Sequence, residues 1–388
     1  MELRGNWRIP TEILAGAGRI AELPERVKAA GIARVLVVTD PGVAGLPFFA
    51  GILASFAQAG IAAAVFKDVH PDPQLADVLA GAAAYKAHNA EAIIAIGGGS
   101  GLDCGKSVGL AVSTTRPLWD FEITLATPEL DSLIPPIFAV PTTAGTGSEV
   151  GRATVVIDTE KRRKYILLHA QMLPRLVILD PELTYGLPAF ITAWTGMDAL
   201  AHSLEAFYGD FYHPIADGIA IEGMRLVKEN LVTAVNEPRN PVARMNMLAA
   251  ASMGATAFQK ALGAIHALSH PIGARFHAHH GLTNAVLMPY VLAFNRPVIE
   301  AKISYAAQAL GIPNGFDGFL AWVQELRAEL NIPKTLEGLK VTPDALEDLA
   351  AEAVADPNTP DNPRIASQAD YLRILQAAMA GTLSGLGD

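Results

Sequence analysis

The sequence predicts a two-part chain, an α/β domain built on a parallel sheet over residues 1–187 and an all-helical domain over residues 188–388. Three observations carry that expectation. Up to about residue 187, short β-rich runs alternate with helical stretches, the order that gives parallel strands joined by crossover helices. Beyond Leu187-Pro188 such runs largely stop, and Ala/Leu-rich helical segments continue to the end. At 388 residues the chain also exceeds one ordinary hydrophobic core.

In chain order, Arg34-Val-Leu-Val-Val38 reads as a near-continuous apolar strand, followed by a helix over residues 48–59 and a strand over residues 62–66. A helix over residues 74–88 leads to the strand Ala92-Ile-Ile-Ala-Ile96. Later β-rich runs, at residues 137–140, 153–158, 164–168 and 176–179, stand closer together and are expected to be partly hairpin. In the second half, residues 195–207 have the composition of a largely buried helix. No internal repeat is present.

Composition narrows the function classes. Hydrophobic residues make up 51% of the chain and charged residues 18%, and the 34 glycines and 26 prolines are spread out, as in a globular protein without low-complexity tracts. A formal net charge of −10 opposes nonspecific attraction to nucleic acid or to anionic membranes, so neither is an expected partner. The single cysteine, Cys104, excludes an intrachain disulfide and a CxxC site. Without an apolar stretch in its first residues or a run of 18 apolar residues, the chain is expected to be soluble and cytoplasmic.

Gly97-Gly98-Gly99-Ser100-Gly101 follows a strand and leads into a predicted helix, where free backbone N–H groups can meet a pyrophosphate. The dinucleotide fingerprint GxGxxG fails, because its last position falls on Leu102 or Cys104. The P-loop pattern GxxxxGK[ST] also fails: Gly105-Lys106-Ser107 fits but the first position is Ser100. A tight strand–helix connection explains the turn equally well. The second small-residue loop, Pro141-Thr-Thr-Ala-Gly-Thr-Gly-Ser-Glu-Val150, suits phosphate or ribose contacts or simply its own backbone. Asp40, at the end of the first clear strand, is either a turn former or a ribose-facing carboxylate that would repel a 2′-phosphate.

The second half carries Asp198 and His202 four apart, His266 and His270 four apart, and His280. A spacing of four puts two side chains on one helical face. For Asp198 and His202 alone, a helix cap and a hydrogen-bonded core histidine is the better reading. Five such residues in this stretch reverse it and point to a divalent metal.

Four segments in this order, Gly97–Lys106, Pro141–Val150, Gly196-Met-Asp-Ala-Leu-Ala-His202 and His266-Ala-Leu-Ser-His270-Pro-Ile-Gly273, resemble the iron-dependent (group III) alcohol dehydrogenase family. The likeness extends from Pro10-Thr-Glu-Ile-Leu-Ala-Gly-Ala-Gly18 to Asp356-Pro-Asn-Thr-Pro-Asp-Asn-Pro-Arg364, which is similar to the family's DxxTxxNPR pattern. It implies a dinucleotide-binding α/β domain plus an all-α domain, the dehydroquinate synthase-like fold of iron-containing alcohol dehydrogenases, with the active site between them. By the same resemblance Asp198, His202, His266 and His280 are the metal ligands and His270 the catalytic histidine, suited to proton transfer. Asp40, Gly97, Gly98, Gly99, Ser100, Asp103, Thr142, Thr143, Thr146 and Lys164 are the cofactor-binding residues, with His277 and His279 bystanders.

The activity so implied is an NAD(P)-linked alcohol dehydrogenase or aldehyde reductase acting on a small primary alcohol or aldehyde, as a homodimer. The family implies Fe(II), with Zn(II) possible from the ligand types, and Asp40 implies NAD(H) over NADP(H). A zinc-dependent polyol dehydrogenase is the alternative, and a dehydroquinate synthase-like lyase a more distant one. Three departures stand out. The segment Phe258-Gln-Lys-Ala-Leu-Gly263 is one residue short, Gly151-Arg152-Ala153 replaces a common polar cofactor contact, and Arg275-Phe-His-Ala-His279 is rich in ionisable groups. That last loop fits either an anionic substrate or simple solvent exposure. Phe258, Leu262 and Phe276 are expected to face the substrate.

Overall fold

The computed structural model describes residues 11–161 and 163–387. Its described residues form two compact units, one comprising the chain up to Leu187 together with Arg239–Leu248, the other Pro188–Pro238 and the chain from Ala249 onward.

The first unit contains β1 (Glu12–Ala15), α1 (Leu23–Ala29), β2 (Arg34–Val38), α2 (Pro41–Ala44), α3 (Pro47–Gln58), β3 (Ala62–Phe66), α4 (Leu75–Ala87), β4 (Ala92–Gly97), α5 (Gly99–Val112), β5 (Ile137–Pro141), β6 (Ala153–Asp158), β7 (Arg163–Leu168) and β8 (Leu176–Leu179). Six strands form one parallel sheet in the order β1-β8-β5-β4-β2-β3, while β6 and β7 pair antiparallel as a separate hairpin. At one end the sheet closes on β1, an edge strand.

Apolar residues on both faces of β2, β4 and β5 require cover on both sides. Val35, Val37, Ile94 and Ile96 pack with Leu23 and Val27 of α1 and Phe49, Ile52 and Phe56 of α3. On the other face Leu36, Val38 and Ile93 pack with Val78 of α4 and Cys104 and Val108 of α5. Val156 and Leu167 place the hairpin in this second core. From β2 the chain moves outward to β3, then returns to lay β4 on the opposite side of β2. The winding therefore reverses between β2 and β4, and the carboxyl ends of these two strands flank the switch point where open α/β sheets bind ligands.

The second half is helical: α6 (Ala189–Tyr208), α7 (Pro214–Asn236), α8 (Pro241–Ala257), α9 (Ala264–Phe276), α10 (His280–Ala309), α11 (Gly315–Glu329), α12 (Leu346–Val354) and α13 (Gln368–Ala380). Every residue of α6 from Thr195 to Tyr208 is buried. A helix covered all round is a central one, so the polar residues it carries are forced to find partners inside the protein. Among the described residues no helix is long and apolar enough to cross a membrane.

Candidate metal centre and nucleotide-binding edge

Asp198 and His202 project from one face of α6, His266 comes from the first turn of α9, and His280 opens α10. One ligand atom from each lies within 4.8 Å of every other. Asp198 Oδ1 stands 3.8 Å from His202 Nε2 and 3.6 Å from His280 Nε2. Close helix packing produces this convergence: a Cβ on Gly281 would lie 2.3 Å from the Trp194 carbonyl oxygen, so glycine is what lets the start of α10 rest on α6. The imidazoles of His202 and His266 stack at 4.9 Å, and the Phe258 ring stands edge-on to His202 at 5.0 Å.

Three of the four side chains are nearly inaccessible, whereas His280 remains 30% exposed, which puts the opening of the site on its side. One carboxylate and three imidazoles, converging in a buried pocket, match the donor set and open geometry of a divalent first-row ion. They do not choose among iron, zinc, manganese and cobalt.

Glu205, one turn beyond His202, is fully buried and its Oε2 meets His266 Nδ1 at 2.5 Å. Its other oxygen accepts from Ile265 N at 2.8 Å and from Tyr208 Oη at 3.1 Å. The carboxylate therefore fixes the His266 ring with Nε2 facing the other ligands, the arrangement that orients metal-binding histidines. Burial lowers the His266 pKa, but Glu205, with Asp198 and Asp356, outweighs it and holds the imidazole above its ordinary value. A signal for Glu205 existed in the sequence: a glutamate among apolar residues, on the face already carrying Asp198 and His202.

His270 also lies beside the centre, its ring stacked on His280 at 5.6 Å. Its Nδ1 is 2.7 Å from Asp356 Oδ2, so Nε2 is left as the outward nitrogen. Asp356 is held in turn by Asn358, whose backbone N and Nδ2 both donate to Oδ1 at 2.9 Å. The late Asp356–Arg364 segment thus reaches the site through a residue that sequence spacing does not connect to His270. In the ion-rich loop Arg275 is exposed and paired with Asp348 at 3.0 Å.

In the α/β unit, Asp40 follows β2 at the switch point and caps α2, accepting from Val43 N at 3.0 Å. Gly97 ends β4 at φ +152°, and its missing Cβ would lie 3.4 Å from Asp40 Oδ2. Thr142 N donates to Gly97 O at 2.9 Å, while Gly98 and Gly99 pack directly on the side chains of Thr143 and Thr146. The two small-residue loops and Asp40 therefore form one surface at the carboxyl ends of β2, β4 and β5. The first turn of α5 adds backbone N–H groups that have no partner within the helix.

Ser100, Asp103 and Lys164 are placed differently. Ser100 Oγ donates to the Pro71 carbonyl, and Lys164 Nζ lies 2.8 Å from Asp72 Oδ1 in the same loop. Asp103 turns inward, accepting from Ser148 Oγ at 2.5 Å and from Val155 N at 2.9 Å. Lys106, whose neighbours mimic a P-loop, is buried with Nζ donating to the carbonyls of Ser148 (2.9 Å), Gly151 (3.3 Å) and Ala153 (2.6 Å). It anchors the second loop rather than holding phosphate.

The family model for iron-containing alcohol dehydrogenases matches residues 10–181, and the model for the C-terminal part of the Fe-containing alcohol dehydrogenase family matches residues 192–379. The chain belongs to the iron-containing alcohol dehydrogenase family. It is 37% identical to a 4-hydroxybutyrate dehydrogenase of Cupriavidus necator, over 95% of this chain and 98% of that protein. It is 31% identical to an NAD-dependent methanol dehydrogenase of Bacillus methanolicus, over 96% of this chain and all of that protein. Among solved structures, a 1,3-propanediol oxidoreductase superposes with a TM-score of 0.91 at 33% identity, covering 96% of this chain and 99% of that one. As a member of this family the protein is a metal-dependent oxidoreductase acting on alcohol groups and their aldehydes.

Proposed function

We propose that the protein interconverts a small primary alcohol and its aldehyde, using NAD(H) and a divalent ion, natively Fe(II), held by Asp198, His202, His266 and His280. The observation that carries this reading is the convergence of those four donors within 4.8 Å in a buried pocket. A divalent ion there would supply Lewis acidity to the alcohol or aldehyde oxygen, while the nicotinamide exchanges hydride. Of the chain's own groups, Glu205 orients His266, the buried α6 keeps water from Asp198 and His202, and His270 moves the proton through Nε2, its other nitrogen being held by Asp356.

Cofactor choice is assigned to Asp40, whose carboxylate at the switch point favours a ribose 2′-hydroxyl over a 2′-phosphate. The family and the NAD-dependent relative support NAD(H), and the family name supports iron. Gly97, Gly98, Gly99, Thr142, Thr143 and Thr146 would line the phosphates, Ser100 offering only its backbone N–H because its hydroxyl is bonded to Pro71 O, with Asp103 shaping the second loop from behind and Lys164 paired with Asp72. The homodimer implied by the family has the sheet edge at β1 as a candidate contact. One buried cysteine is consistent with a cytoplasmic setting.

The test is NADH oxidation by chelator-stripped protein reloaded anaerobically with Fe(II) or Zn(II), against short aldehydes, hydroxyaldehydes and semialdehydes. Metal-dependent loss of NADH is expected, with Fe(II) the more active; silence with every metal and aldehyde would overturn the reading. In a second arm, purified His270→Ala keeps its metal and loses turnover. Loss of metal from that variant would mean that His270 is a ligand.

A further inference from the structure

One buried side chain at the metal centre supplies no expected ligand atom. Asn284 stands one turn after His280 on α10 and is fully buried. Its Nδ2 lies 2.8 Å from Asp198 Oδ1, 3.2 Å from His280 Nε2 and 3.3 Å from His266 Nε2. Three of the four donor atoms thus form a triangle with this amide nitrogen above it. The amide Oδ1, at the other end of the group, is buried without a hydrogen-bond partner. An asparagine that served only helix packing would bond both ends, because a buried orphan oxygen forfeits the hydrogen bonds it makes to water.

We propose that Asn284 is a positioning residue that closes the Asp198–His266–His280 face of the ligand set, so that the exchangeable position opens only through a face bordered by His202. This rests on the metal-centre reading above. A neutral amide nitrogen carries two hydrogens and no available lone pair, so it occupies that face without adding a donor. Its bond to Asp198 Oδ1 fixes the carboxylate, and its second hydrogen faces the Nε2 atoms of His266 and His280, whose lone pairs a bound ion would take instead. Turned the other way, the amide would set its oxygen against the Asp198 carboxylate oxygen at 2.8 Å, two acceptors in contact. The faces that remain all share His202, beside which stands the Phe258 ring. Substrate oxygen would then enter through a face that His202 shares with His280, the ligand that is 30% exposed.

The experiment uses the full-length protein with Co(II), whose visible absorption reports coordination number, and azide as a small exogenous ligand. Wild-type protein should take up Co(II) in a manner abolished by His266→Ala, and azide should add a single ligand. Asn284→Ala should retain Co(II), fold as judged by circular dichroism, and admit a second azide with a fall in visible intensity. The near-isosteric Asn284→Asp, which puts an oxygen in the same place, should lose azide binding altogether. Azide stoichiometry and spectrum unchanged in both variants would overturn the proposal. So would a large loss of Co(II) affinity in Asn284→Ala restored by Asn284→Asp, which would make the amide oxygen a direct ligand. Wild-type protein that bound no Co(II), or bound it independently of His266, would take down the metal centre itself, and the inference with it.

Discussion

At the scale of single residues, the site depends on charged groups that touch no substrate. Glu205 bonds His266 Nδ1 and the backbone N of Ile265 at once, so it sets both a ligand's ring and the start of α9. Glu205→Ala is expected to weaken metal binding by about 10–100-fold, the usual cost of losing such an orienting partner. Glu205→Gln, which still offers an oxygen to Nδ1–H, should recover most of that loss; equal affinity in all three proteins by metal titration would show that His266 needs no orienter. Asp40 caps α2, and its proposed contact with the nucleotide has to be separated from that role. Asp40→Ser keeps a capping oxygen and removes the charge, so stability should hold while kcat/KM for NADPH relative to NADH rises about tenfold or more, the effect of relieving one like-charge clash worth at least 1.4 kcal/mol. An unchanged ratio would move the 2′-hydroxyl contact to another residue.

At the scale of elements, the sequence was most readable where chemistry repeats locally. The runs at residues 34–38, 92–96 and 137–140 are strands because apolar side chains face both ways, and the helix cores confirm that cover on each side. Asp198 and His202 were visible because a four-residue spacing needs only the helix itself. Asn284 and the role of Asp356 were not: each takes its meaning from a partner distant in sequence. Lys106 shows the converse, a motif-like neighbourhood whose side chain turns inward. Its ammonium ties α5 to the loop ahead of β6 and to the first residue of β6 through three carbonyls, with Asp103 Oδ1 3.6 Å away. Burial pulls the Lys106 pKa down, only partly offset by Asp103 and Glu149. Lys106→Ala would leave those groups buried and unpaired, at a cost of about 3–5 kcal/mol in urea unfolding. A loss below about 1 kcal/mol would mean that water replaces the lysine.

At the scale of the whole molecule, all four proposed metal ligands lie in the helical unit, on α6, α9 and α10. An ion bound only by the folded state stabilises it by about 2.7 kcal/mol at a hundredfold excess over Kd. Because Asp198 and His202 share the central helix of that unit, the gain should be felt along α6 and through its packing with α7 and α10, not in the parallel sheet. Hydrogen exchange distinguishes these regions amide by amide. In metal-loaded against chelator-stripped protein, slow amides of α6, α9 and α10 should exchange about 100-fold faster once the ion is gone, the factor that this free energy corresponds to. Amides of β4 and β5 should keep their protection. Equal acceleration in sheet and helices would show that the two units open as one cooperative block, and the metal would then stabilise the nucleotide-binding edge as well. No acceleration anywhere would mean that the folded chain holds no ion at these residues, and the catalytic reading of the site would fail with it.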